Sequence, residues 1–347
     1  MLALPDVDVL DALDIDVATV RMEITNAYPQ EDLWRPYDFG GRLPARVRRP
    51  ENFSVRSDGT VAQGESTMPP ASHVFEREHG GQPVELSGDI PKPDIKSIRE
   101  SCQRNRMKDE DIKRVKEHCR RARESTDRAI LFGGIGCPIG IGGFTGIAMF
   151  PMLCMTEPDF VMELHEAVVA PALEQMEALL TEIHPYIDMY HVSSDDWGTQ
   201  TNCVASPQVY RDLFKPFYRR ANDVVHRTAP EIKTFLHCCG AVYDLLDDFV
   251  ESGFDALNPV QWTAGSQGYR AWKDKARGRI TLWGGGVHTQ ATLPLGTVDE
   301  VAREAAEIVS YMRQDGGFVF AAIHNLLAEI SGEKIVAMYR AAATSAP

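Results

Sequence analysis

The sequence predicts an α/β protein of the (β/α)8 barrel type, and three observations predict it. Short apolar runs alternate with longer stretches of helical periodicity, which means a parallel sheet, because parallel neighbours need a long return connection. Polar or glycine residues follow nearly every run, as they do where a barrel builds its site from the loops at the C-terminal ends of its strands. The runs number seven, one short of the eight that close such a barrel. The expectation is therefore a TIM-type barrel lacking its first strand, completed either by a strand not recognised in the segment after the first run or from outside this chain.

The first sixteen residues carry five aspartates and read as helical, and the first strand is expected at residues 17–22. Residues 28–95 are rich in Pro, Gly and Arg. That is too long for a bare loop, so this segment reads as an excursion covering one mouth of a single 347-residue domain. Inside it, residues 52–61 read as a hairpin turned at Asp58-Gly59. A helix is expected from about 109 to 125. Strands then follow at 129–133, 189–192, 234–236, 256–257, 280–283 and 318–322, with helical stretches near 157–183, 206–228, 240–252, 266–275, 297–314 and 332–343 between and after them.

Composition bounds the function. Apolar content of 44% and charged content of 25% are those of a soluble globular protein. A formal net charge of −14 repels phosphate backbones and anionic membranes, so neither nucleic acid nor membrane is expected as a partner. The basic run from Lys113 to Arg123 alternates with acids as a solvated helix face does. Acids occupy the place of a cationic leader, and no apolar run reaches about 18 residues. A cytoplasmic location is expected, with the seven scattered cysteines reduced.

The chemistry gathers at the strand ends. In Phe235-Leu236-His237-Cys238-Cys239-Gly240, His237 and Cys239 are two residues apart and so face the same side of an extended backbone. Imidazole and thiolate together can bind zinc; the alternative is an ordinary buried free cysteine beside a histidine. A third ligand would come from a histidine or carboxylate such as His324, or from upstream residues such as Cys137 or Glu163. After another strand, Asp195 and Asp196 face different directions, with Asp196 the choice for the group facing the site and Asp195 the second; a capping role is the alternative for either. Trp197 and Gln200 follow them. Asn258 and Gln261 bring two amides that could orient a carboxylate or carbonyl, or simply mark a proline turn. Trp283, the glycines after it and His288 offer bare backbone for close approach of a ligand. These six side chains are the candidate substrate contacts. His324 stands at the end of the last strand, placed to approach His237 across the mouth.

The strings DDWGTQTNCVASPQVYRDLFKPFYRR, HCCGAVYDLLDDFVESGFDALNPVQ, WGGGVHTQ and GGFVFAAIHN resemble the uroporphyrinogen decarboxylase-like superfamily, from about residue 10 to the end. Within it the chain is more similar to the zinc-dependent corrinoid-linked methyltransferases, which share the HxCG element. The resemblance implies that His237 and Cys239 bind Zn2+. The methyltransferases' distant cysteine falls where this chain reads Ala322-Ile323-His324-Asn325, and His324 matches a decarboxylase histidine. The arginine-rich opening of the decarboxylases is absent, which implies a missing first strand and argues against uroporphyrinogen decarboxylation itself. The leading functional expectation is methyl transfer from a small molecule to a thiol or to a corrinoid on a partner protein, with His237 and Cys239 as ligands and His324 and Asp196 supplying the remaining ligand or a proton. A metal-independent decarboxylase or lyase using Asp196 and His324 is the alternative, and a non-catalytic subunit of a split barrel is another. A sister subunit or a second copy would supply the missing strand.

Overall fold

The computed structural model describes residues 4–41, 44–72, 75–77, 90 and 92–345. Seven parallel strands form one curled sheet in chain order: β1 (Val17–Arg21), β2 (Ala129–Gly133), β3 (Met189–Ser194), β4 (Lys233–His237), β5 (Ala256–Asn258), β6 (Thr281–Trp283) and β7 (Phe318–Val319). Helices surround it, giving the TIM-type architecture with seven strands. Among the described residues no ladder joins β1 to β7. Alternation within each strand decides which way its side chains face. Ala18, Val20, Ile130, Phe132, Tyr190 and Val192 are buried in the main core. The residues between them, including Arg21, Gly133 and His191, line a cavity.

The outer edge of β1 is taken by its own chain. Arg21 N donates to Ile24 O at 2.8 Å, Thr19 N to Asn26 Oδ1 at 2.8 Å, and Asn26 N returns to Thr19 O at 3.3 Å. Residues 24–26 thus stand antiparallel against the strand, in the place a further strand would use.

Helices follow the periodic stretches. In Asp109–Ser125, Val115, Cys119 and Ala122 form the buried stripe. Val298–Met312 opens with a reciprocal cap, Thr297 N to Glu300 Oε2 at 2.7 Å and Glu300 N to Thr297 Oγ1 at 3.3 Å, and buries Val301, Ala305, Ile308 and Met312. Three expectations need correction. The stretch 206–228 is two helices, Pro207–Leu213 and Lys215–Thr228, because Pro216 lacks an N–H and crowds the residue before it. The stretch 240–252 holds only a helical turn at Tyr243–Leu245 and the short helix Leu246–Glu251. A further helix, Ile95–Arg104, opens at the cap Asp94, whose side chain accepts from Lys96 N at 3.1 Å.

The excursion has structure of its own. A two-stranded ribbon pairs Arg35–Asp38 with Pro44–Val47, and an antiparallel sheet runs through Phe53–Val55, Val61–Gln63, Ser66–Met68 and Glu76–Arg77. The expected turn is present: Thr60 N donates to Asp58 Oδ1 at 2.8 Å and Gly59 takes a φ of +85°. Phe39, Val47, Val61 and Met68 form its separate small core. Residues 78–89 of the expected excursion lie outside the described residues. No helix among the described residues is long and apolar enough to cross a membrane.

Candidate metal and substrate site

At the C-terminal ends of β3, β4 and β5 the loops are stitched to one another. Asp195 N donates to His237 O at 2.8 Å, Gly198 N to Cys239 O at 3.0 Å, Ala241 N to Thr199 O at 2.9 Å and Cys238 N to Asn258 O at 2.6 Å. Gly198 and Gly240 meet backbone to backbone, so that a Cβ on either would overlap the other's segment, and Gly240 also takes a φ of +86°. Glycine is required at both for this approach.

This stitching brings three side chains together. His237 Nε2, Cys239 Sγ and Asp196 Oδ1 lie within 4.8 Å of one another. Cys239 Sγ is 3.2 Å from Nε2, Asp196 Oδ1 is 3.8 Å from it, and the same oxygen accepts from Cys239 N at 3.1 Å. Asn258 fixes the imidazole. Its Nδ2 donates to Trp283 O at 3.2 Å, which turns its Oδ1 toward His237 Nδ1 at 2.7 Å. Since that oxygen only accepts, Nδ1 carries the hydrogen and the Nε2 lone pair faces Cys239 and Asp196. An imidazole oriented by a partner on its other nitrogen is the arrangement metal ligands use. Burial pushes the Cys239 thiol up to about 12, with the Asp196 carboxylate adding to it. A nitrogen, a sulfur and an oxygen donor are ligand types that Zn2+ takes.

Of the two aspartates, Asp196 is exposed beside His237 and Cys239, and Asp195 is turned away from them. Asp195 is buried, accepting from Ile141 N and Tyr218 Oη at 2.8 Å each and from Trp197 Nε1. Burial raises its carboxyl to about 7, against the pull of those donors. It therefore holds the loop after β2 to β3 rather than facing a substrate. Trp197 is corrected with it. It is fully buried against Tyr210 and Phe214 and has no face at the mouth.

The other expected contacts are scattered. Gln261 Oε1 accepts from Gly240 N at 2.8 Å, and Gln200 Nε2 donates to Thr263 O at 3.2 Å, so both brace loops. Trp283 is half-buried, edge-on to Phe235 at 5.1 Å. His288 lies beside Trp262, its N donating to Glu304 Oε1 at 2.9 Å. His324 is exposed and outside the three-residue cluster, so the third donor beside His237 and Cys239 is Asp196. Cys137 is buried and also outside it. Sequence reasoning did not single out Asn258 as the partner of His237, nor Arg21 and His191. The signal available for His191 was a histidine inside the alternation of a strand.

Among curated proteins none matches the sequence. Among solved structures the chain is similar to a methyltransferase from Methanosarcina mazei, with a TM-score of 0.50, 20% identity, and coverage of 67% of this chain and 64% of that one. It thus spans less than two thirds of that protein's length. It is also similar to xylanase 10B from Thermotoga maritima, with a TM-score of 0.40, 10% identity, and coverage of 73% of this chain and 90% of that one. The likeness to the methyltransferase shows the fold alone. The family model described as Uroporphyrinogen decarboxylase (URO-D) matches residues 65–345, most of the chain including β2 to β7 and the whole cluster, and the chain belongs to that family.

Proposed function

We propose that this protein is a zinc-dependent methyltransferase acting on a small molecule. The observation that carries the reading is the convergence of His237 Nε2, Cys239 Sγ and Asp196 Oδ1 within 4.8 Å at the strand ends, with Nδ1 held by Asn258. Zn2+ held by these three would supply Lewis acidity, lowering the pKa of a thiol or polarising a methoxy-type oxygen. The chain's own residues do the rest. Asn258 presents the Nε2 lone pair, Gly198 and Gly240 fix the distance between the two loops, and Gln261 pins Gly240 N. Burial pushes the Cys239 thiol up to about 12, so Cys239 would give up its proton to solvent on binding a metal, while Asp196 Oδ1, held by Cys239 N at 3.1 Å, would be the oxygen donor. Family membership and the fold shared with a methyltransferase support the reading. The lyase alternative asks Asp196 and His324 to work as a pair, whereas the described cluster around Asp196 consists of His237 and Cys239.

The methyl acceptor in this reading is a thiol or a corrinoid carried by a partner protein. If a sister subunit or a second copy adds a strand, it does so at β7, because residues 24–26 already occupy the outer edge of β1. The test is elemental analysis of the purified protein with His237→Ala and Cys239→Ala beside it, together with methyl transfer from methoxy or methylthiol donors. About one equivalent of zinc in the parent and loss of both zinc and transfer in each variant is the expected result. Zinc content unchanged by both substitutions overturns it.

A further inference from the structure

Beside the metal cluster lies a cavity of about 330 Å³ that the reading above does not use. It is built by one layer of the sheet. Arg21 pairs with Gly133 across β1 and β2, and His191 pairs with Phe235 across β3 and β4. One step beyond the Phe132–Tyr190 pair, Gly133 stands beside His191. Three inward positions on adjacent strands therefore lie side by side, and the middle one has no side chain. A Cβ at Gly133 would sit 3.9 Å from Arg21 Nε and 3.8 Å from His191 Nδ1. The absent side chain leaves a gap onto which a guanidinium and an imidazole nitrogen converge.

The two groups ask for different things. Among the described residues no carboxylate or carbonyl takes up the Arg21 guanidinium, while its backbone is anchored by Arg21 N to Ile24 O at 2.8 Å. His191 Nε2 lies 2.9 Å from Ser193 O, which only accepts, so Nε2 carries the hydrogen and Nδ1 presents a lone pair to the gap. Burial, with His237 and Arg21 nearby, holds this imidazole down at about 4, so it is neutral at physiological pH. A cation with several donors therefore stands next to a neutral acceptor. Ser194, which also lines the cavity, pairs with His237, so the cavity borders the cluster.

We propose that Arg21, His191 and the gap over Gly133 form a subsite for a small oxyanion that bears its own hydrogen-bond donor, such as a carboxylate with a hydroxyl on the adjacent carbon. The oxyanion takes the Arg21 guanidinium and the hydroxyl donates to His191 Nδ1. This deepens the methyltransferase reading, and rests on it only for the statement that the rest of the ligand points toward His237 and Cys239.

The experiment titrates the full chain, stripped of metal with a chelator, with glycolate and with acetate, followed by calorimetry or NMR. Glycolate should bind about three- to ten-fold more tightly than acetate, the worth of one neutral hydrogen bond. Arg21→Gln should abolish binding of both. His191→Phe should erase the preference and leave acetate in place. Gly133→Ala, whose new methyl makes only ordinary contacts with the protein, should weaken both while the thermal midpoint holds. Equal affinity for the two anions, binding unaffected by Arg21→Gln, or no detectable binding of either overturns the proposal. Because the stripped protein is used, these results do not depend on whether His237 and Cys239 hold zinc, and the zinc content of His237→Ala says nothing about Arg21.

Discussion

The two sides of the barrel mouth are built from similar strand-end residues and have become different things. After β3, β4 and β5 the loops exchange backbone hydrogen bonds, the glycines at 198 and 240 touch, and His237, Cys239 and Asp196 converge. After β6 and β7, Trp283, His288 and His324 face separate neighbours or solvent, outside the cluster. The segments after β6 and β7 are bonded to each other too, Gly284 N to Val319 O at 2.9 Å and Gly286 N to Ala321 O at 3.0 Å, so what distinguishes the first side is which side chains its bonding brings together.

That contrast can be broken by experiment. Gly240→Ala or Gly198→Ala sets a methyl into the facing backbone and should cost on the order of 3 kcal/mol or more by chemical denaturation, with loss of bound metal. An unchanged denaturation midpoint would mean that the stitched side is not stitched. Asp195→Ala strips the acceptor from Ile141 N, Trp197 Nε1 and Tyr218 Oη and should cost on the order of 2 to 3 kcal/mol. The same carboxyl carries a pH signature. Its folded value of about 7 lies above the ordinary 3.8, so the stability it contributes is present at low pH and is lost as pH rises through about 7. Asp195→Asn should remove that slope between pH 4 and 7, which denaturation across the range would reveal. Asn258→Ala frees the His237 ring and should lower metal affinity roughly 10- to 100-fold with the fold retained, measured by competition with a chelating dye. On the other side, His324→Ala should leave metal content unchanged and stability within about 0.5 kcal/mol. A large effect there would erase the distinction between the two sides.

Much of the fold was legible because it rests on local period. The strands at 129–133, 189–194 and 233–237 stand where β-branched and aromatic runs end in polar residues, and the helices at 109–125 and 298–312 where one apolar stripe recurs. His237 and Cys239 were legible because two residues of a strand share a face. The third donor was less so. Asp196 had been assigned to the site as a general participant and His324 to the metal, since both end strands; which one reaches His237 depends on the Cys239 N to Asp196 hydrogen bond, a contact across 43 residues. Of the layer of Arg21, Gly133 and His191, only the histidine inside the alternation of β3 left a signal in the sequence. Register between strands far apart in sequence is settled by packing, and a slip of one residue would have turned each of the three outward.

The return of residues 24–26 along β1 has a consequence for how the protein behaves in bulk. An edge strand normally leaves every second amide open to solvent and to other chains, and growth of sheet upon sheet begins at such edges. Here the amides of Thr19 and Arg21 are already donated within the chain. They should exchange with deuterium slowly for an edge position, and that side of the sheet offers no template on which a misfolded neighbour could grow.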